Sequence, residues 1–338
     1  YSMYAIHAIG FKDVKYYGAA KEHKVVDFIS KRYVFFIVSV VLIAAGFIGE
    51  GVNAAGGKGA FNYSLEFVGG TSTTVDLGKN YDLSEIDSEI VPLINEAIGT
   101  SEVQVQKIAD TTQVIFKTRN LELSEREKFA KVFEEHYSVE DSAISYQNVS
   151  ETISKEMTSD AIWAVVIAVI LMLIYIWFRF DDIRFATSAI IALLHDILVV
   201  LTCYALVRIS VGSTFIAVML TILGYSINDT IVTFDRIREN LRSKARVTES
   251  ELKEIANRSI TQTLSRSINT SVTTFVMVLL LYILGVTSIR EFALPLMVGV
   301  ISGTYSSICI ATELWFEMKV RQKASGKAKK GAKAKNMA

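Results

Sequence analysis

Six stretches of this sequence carry almost no charge, and they constrain its folding more than any other feature. Residues 33–48 read YVFFIVSVVLIAAGFI, without a charged side chain. Further apolar runs cover about 161–178, 185–207, 211–234, 268–285 and 292–316. A bilayer-spanning helix needs about 20 consecutive apolar residues, and the flanks of the shortest run extend it to that length. A charged side chain at a helix centre costs about 2.5–3.5 kcal/mol on insertion scales. Segregation of this kind predicts a polytopic α-helical membrane protein with six transmembrane helices. The 35 basic and 35 acidic residues cancel, so the placement of charge carries the signal, not its balance.

Placement also predicts orientation, because Lys and Arg accumulate on the cytoplasmic side. Six basic residues from Lys12 to Arg32 precede the first run, eight fall in 235–266, and eight follow residue 318. The short loops on the opposite side hold only Arg208 and Arg290. Both termini are therefore expected in the cytoplasm and residues 51–158 outside it. That segment holds eighteen acidic against nine basic residues, as suits a translocated domain. The expected division is a basic segment at 1–24, a first span with its lead-in at 25–50, and the outer domain at 51–158. A five-helix membrane bundle at 159–317 with a cytoplasmic loop at 235–266, and a basic disordered tail at 318–338, complete it. Within the loop, Thr248-Glu249-Ser250-Glu251 reads as a capping box opening a surface helix. The tail favours anionic lipid or ribosomal RNA.

Residues 51–158 alternate like an α+β fold. Strand-like stretches at 63–68 and 71–77 flank Gly69-Gly70, and helical patterns cover 83–98 and 124–136. Strands are expected at 103–108, 114–117 and 143–147. This ββαββαβ order predicts one ferredoxin-like domain, an antiparallel sheet with helices on one face.

Enzyme chemistry finds no foothold. His7, His23, His136 and His195 lack metal-ligand spacing, and no Gly-x-Ser-x-Gly elbow occurs. Gly56-Gly57-Lys58 lacks the first glycine and the Ser/Thr of a phosphate loop. No cofactor or metal is expected, and Cys203 and Cys309, inside apolar runs, read as small packing residues. The informative residues are polar ones inside spans. Asn228-Asp229 lies in the fourth run, and an intramembrane carboxylate is either a proton or ion relay or a hydrogen-bonding group between helices. Arg266, before the fifth run, is its expected partner by depth, or else an ordinary interfacial anchor. Thr270 lies on the same helical face as Arg266. His195-Asp196 is a further candidate, for proton shuttling or for helix packing, although adjacent residues on a helix need not pair. Gly299 and Gly303 form a Gly-x-x-x-Gly pair for close helix contact.

At this point the residues resemble a known family, SecF of the bacterial protein-export machinery. The carriers are Phe67-Val68-Gly69-Gly70-Thr71, Leu194-His195-Asp196-Ile197-Leu198, and the stretch from Gly224 through Asn228-Asp229 to Asn240. Thr263–Ser271 and Gly299–Ser307 complete the set, which covers roughly 25–317. The sequence departs from the family at Glu66, where Asp is usual, and in a longer loop between Asp229 and Arg266. Residues 9–18 resemble the trailing segment of SecD, which implies a fused SecD–SecF polypeptide or a reading frame drawn across the junction of the two. The resemblance implies no enzymatic activity but assistance of protein export across the bacterial cytoplasmic membrane, driven by the proton-motive force. The implied partners are SecD, the SecYEG channel and exported preproteins. It places proton-pathway roles on Asp229, Arg266 and Thr270, and an extracytoplasmic lead-in motif on Glu66, Phe67, Gly69 and Gly70. A structural scaffold of the translocon is the alternative.

Overall fold

The computed structural model describes residues 24–56, 59–100, 103–108, 111–180, 182–242 and 247–322. The expectations for residues 1–23 and 323–338 fall outside that set.

Among the described residues, six helices are long and apolar enough to cross a membrane: Ile29–Ala55, Glu151–Arg179, Ile183–Val207, Ser213–Arg242, Glu249–Leu284 and Ile289–Gln322. They are called here the first to sixth spans. Their starts carry chemical signals. Ser150 accepts from the Ile153 amide, Asp182 from the Arg184 amide, and Thr248 from the Glu251 amide. The last is the expected capping box, with the Glu251 carboxylate returning to the Thr248 amide at 2.8 Å. The third, fourth and sixth spans form the packed centre; the first, second and fifth lie around them with most of their surface bare.

Two boundaries differ from expectation. The anticipated loop at 235–266 is almost entirely helix. The fourth span continues to Arg242, and the anticipated surface helix and fifth span are one unbroken helix of 36 residues, Glu249–Leu284. No Gly or Pro interrupts 249–284, so nothing in the backbone stops the helix where its side chains become apolar. Asn240 ties the two extensions together by donating to Ser259 and Gln262. Residues 318–322 likewise continue the sixth span as helix instead of opening a disordered tail.

Between the first and second spans lies the α+β domain. Its four-stranded antiparallel sheet has the order β3-β4-β2-β5, from β2 (Gly70–Asp76), β3 (Gln104–Lys107), β4 (Gln113–Thr118) and β5 (Ile144–Val149). The strand expected at 63–68 does not form. Only Asn62–Tyr63 is extended (β1), and it pairs in parallel with Ser210–Val211 (β6) between the third and fourth spans. Leu65–Val68 is a single helical turn. That turn carries Phe67 into the apolar cluster of the bundle and Glu66 toward the fourth span. Gly69 and Gly70 then reverse the chain at φ +78° and +123°. A Cβ on Gly70 would lie 2.3 Å from the Thr118 carbonyl oxygen, so only glycine fits there.

The helices at 83–98 and Leu123–Tyr137 cover one sheet face, where Val75, Ile94, Val114, Phe116, Phe129 and Phe133 are buried together. The strict alternation of burial along β4 follows from the two-residue period of a strand. The opposite face turns toward the spans across a cleft of about 310 Å³ lined by Glu66, Gln106, Lys117, Gly212 and Glu291, among others. There Gln106 donates to Glu291 at 3.0 Å. Burial holds the Lys117 ammonium below the ordinary lysine value, and the charge of Glu291 opposes that effect.

Candidate functional site

The sixth span presents Gly299, Ser302, Gly303 and Ser306 at i, i+3, i+4 and i+7, which is one face of a helix. The glycines set its distance from the fourth span. A Cβ on Gly299 would lie 2.2 Å from Ile222 Cδ1, and one on Gly303 3.1 Å from Ser226 Cβ. The two serines on the same face are thereby brought to the Asp196 carboxylate of the third span. Asp196 Oδ2 accepts from Ser226 Oγ and Ser306 Oγ, each at 2.6 Å. Its Oδ1 accepts from Ser302 Oγ at 2.6 Å and lies 3.1 Å from His195 Nδ1. The neighbours His195 and Asp196 do therefore meet, and the His195 ring also packs against Tyr305. Asp196 is 1% exposed, and these contacts use the acceptor capacity of a carboxylate. One side chain joins three spans.

Asp229 follows Ser226 by three residues, about 4.5 Å further along the fourth span. It is 3% exposed, and its Oδ2 is buried with no hydrogen-bond partner among the described residues. Ser267 of the fifth span, also buried, approaches that carboxylate closely enough to act on it, although its Oγ makes no well-formed hydrogen bond among the described residues. The seam continues through Tyr225, whose hydroxyl donates to Ser271 at 3.0 Å, and through Ser271 to Thr304. Asp196, Ser226, Asp229, Ser267, Ser271 and Thr304 thus form a run of hydroxyls and carboxylates inside an otherwise apolar bundle. Its hydrogen bonds join Asp196 to Ser226, and Tyr225 through Ser271 to Thr304, and among the described residues none links these two groups through Asp229 or Ser267.

The expected ion pair of Asp229 with Arg266 is not formed. No contact within 4 Å joins them among the described residues, and the Arg266 side chain is exposed. The reason is rotational. On the fifth span Ser267 faces inward, and Arg266, one residue earlier, is turned about 100° away. Asn228 is likewise exposed on the fourth span, and Thr270, half-buried, returns its hydroxyl to the Arg266 carbonyl at 2.9 Å. Asn228, Arg266, Asn269 and Thr273 leave a polar band facing outward on the fourth and fifth spans.

At the domain end of the fourth span, Glu66 Oε2 accepts from the Ser213 amide at 2.7 Å, which places a carboxylate against a helix N-terminus. The Phe67 carbonyl accepts from Thr158 at 3.3 Å. The lead-in motif therefore fastens the domain to the second and fourth spans. At the other end of the bundle, burial acts to raise the Asp182 carboxyl, but hydrogen bonds from Arg184 and Lys319 overcome it and hold it at about 2. Cys203 and Cys309 are both buried and unpaired with each other.

One residue was overlooked in the sequence. Glu313 stands in the sixth span, fully buried, with neither carboxylate oxygen hydrogen-bonded among the described residues. The rule that marks Asp229 marks it equally: it is an acidic residue within an apolar run.

The family described as "Protein export membrane protein SecD/SecF, C-terminal" matches residues 128–321. The protein translocase subunit SecF of Petrotoga mobilis is 37% identical over 311 residues, covering 90% of this chain and 99% of that protein. The protein translocase subunit SecDF of Bacillus subtilis is 36% identical over 299 residues, and this chain spans 38% of it. The crystal structure of SecDF from Thermus thermophilus, described as a translocon-associated membrane protein, matches with a TM-score of 0.72 at 32% identity. It covers 89% of this chain, and 40% of its own chain is matched.

Proposed function

Because the chain belongs to the SecD/SecF family of protein-export membrane proteins, as a multi-pass SecF-type translocase subunit, we propose that it couples proton movement to preprotein export. The observation that carries this reading is Asp229, a carboxylate buried between spans with an oxygen left unpaired. An unpaired charge there is unfavourable, so the group is neutral when isolated and ionised when a cation reaches it. Arg266 is the cation in reach of the same helix pair, and the state described here holds the two apart. A helix shift that joins them releases a proton; separation takes one up. Asn228 and Thr270 flank this unit. One elementary charge crossing the membrane supplies about 2.3 kcal/mol per 100 mV, enough for a few protons to move a domain.

SecD is the partner that fits the outward polar band of the fourth and fifth spans, since exposed Arg266 and Asn228 need cover within a membrane. The SecDF relatives carry both halves in one chain. The α+β domain is of ferredoxin-like type, with the β-α-β-β-α-β order and the strand arrangement of a split βαβ fold. It lies outside the cytoplasm. The bundle end near Arg32, Arg179, Arg184, Arg242 and Lys319 is the cytoplasmic one. Single cysteines placed in 80–140 should react only with a membrane-impermeant thiol reagent added from outside. Reaction only from the cytoplasmic side would overturn the topology. SecYEG and the emerging preprotein are the further partners.

A scaffold is the second reading, and Asp196 favours it: a carboxylate saturated by three serines is helix glue. Preprotein export in membrane vesicles containing this chain with SecD separates the two. Stimulation that a protonophore abolishes supports proton coupling. Stimulation of equal size with the protonophore present supports the scaffold.

A further inference from the structure

Glu313 takes no part in the seam described above, yet among the described residues it is a fully buried carboxyl of the bundle with both oxygens unpaired. It is fully buried in the sixth span, two residues beyond the π turn Ser307–Ala311. Neither of its oxygens has a hydrogen-bond partner among the described residues. Its helix neighbours Ile310, Ala311, Trp315 and Phe316 share one buried apolar cluster with Ala189, Leu193, Leu223 and Phe234 of the third and fourth spans. Of the other acidic groups on those spans, Asp196 is held by its serines and His195, Asp235 pairs with Arg179 and Arg238, and Asp229 belongs to the seam. On its own helix Tyr305 donates to the Phe35 carbonyl, and Cys309 is a buried free thiol. From the first span the cation that acts on it is Arg32. That guanidinium is occupied one helical turn further on, by Glu317 at 2.8 Å and the Ile29 carbonyl at 3.0 Å.

A charged carboxylate in such a place is strongly disfavoured without a paired cation, and the group takes a proton instead. We propose that Glu313 is a second proton-binding group of the bundle, loaded in the conformation described here. Arg32 is the element that empties it. Arg32 can pair with Glu317, as it does here, or with Glu313, and pairing with Glu313 favours the ionised form. The proton then leaves to the water that reaches the partly exposed Arg32 and Glu317 side chains. A π turn, Ser307–Ala311, stands beside Glu313, and such turns recur at functional sites. Proton binding at Glu313 stands on burial and missing partners alone; its use in export rests on the proton-coupled reading of the chain.

The test is infrared difference spectroscopy on the complex with SecD, wild type against Glu313→Gln, at neutral pH. A carbonyl band of a protonated carboxylic acid lost in Glu313→Gln, separate from the acid band of neutral Asp229 that Asp229→Asn removes, is the expected result. Loss of ionised-carboxylate bands in Glu313→Gln instead, or no acid band lost in Glu313→Gln beyond the one that Asp229→Asn removes, would overturn the assignment. Proton-driven export by Glu313→Gln should fall several-fold with assembly intact. An unchanged rate would overturn its use in export while leaving the Asp229 reading standing, because that reading is tested by its own variant.

Discussion

Asp229→Asn is expected to assemble with SecD at the normal level and to export preproteins at the rate seen when a protonophore has removed the gradient. Asparagine matches aspartate in shape, so the contacts of the fourth span with the fifth and sixth are kept. What is removed is the only part of the side chain that binds and releases a proton. Arg266→Met should give the same loss from the other direction, since Asp229 would remain neutral with no cation to ionise it. Arg266 is exposed in this chain alone, so its replacement leaves the packing of the bundle intact. If the two residues act as one unit, the double variant should be little worse than either single one. A double variant much worse than both would show two independent roles. Normal export by Asp229→Asn would leave the scaffold reading in possession.

Asp196→Ala should act quite differently, by loosening the bundle. Removing the carboxylate strands the hydroxyls of Ser226, Ser302 and Ser306, three donors drawn from two spans. Interhelical hydrogen bonds within membranes are worth about 0.6 kcal/mol on average and up to about 1.7, so three of them contribute roughly 2–5 kcal/mol. Serine hydroxyls can fall back on carbonyls of their own helix, as Ser306 already does toward Gly303 at 3.2 Å. The loss therefore belongs in the lower half of that range. Thermal unfolding of the purified complex in detergent should show a clearly lowered midpoint for Asp196→Ala and a smaller shift for Asp196→Asn, which keeps one carbonyl acceptor. An unchanged midpoint in Asp196→Ala would mean that the serines do not hold the spans together. The contrast with Asp229→Asn separates glue from relay within one seam.

The spans were legible because exclusion of charge from lipid acts on every residue of a run, and the Thr248 capping box because its two hydrogen bonds are local. The continuity of Glu249–Leu284 was not, because charge was read as the end of a helix when it marks only the end of the apolar face. The helical turn at Leu65–Val68 is hidden by Phe67, whose aromatic character fits a strand but whose packing is against the bundle. The Gly-x-x-x-Gly pair was read, whereas the serines beside it became meaningful only with Asp196 opposite. The same limit applies to Arg266. Sequence sets its depth, but the rotation that turns Ser267 inward and Arg266 outward is decided by packing across the whole helix. Glu313 was missed although the signal was present, a carboxylate among Ile310, Ala311, Leu314 and Trp315.

Proton flux through the complex distinguishes a coupled subunit from a scaffold most directly. The chain should be reconstituted with SecD in vesicles that enclose a pH-sensitive dye, with an imposed gradient, as wild type and as Asp229→Asn. Acidification of the lumen by the wild-type complex, reduced to the rate of empty vesicles by Asp229→Asn, is the predicted result. Equal flux through both complexes, or no flux above empty vesicles through either, would contradict it.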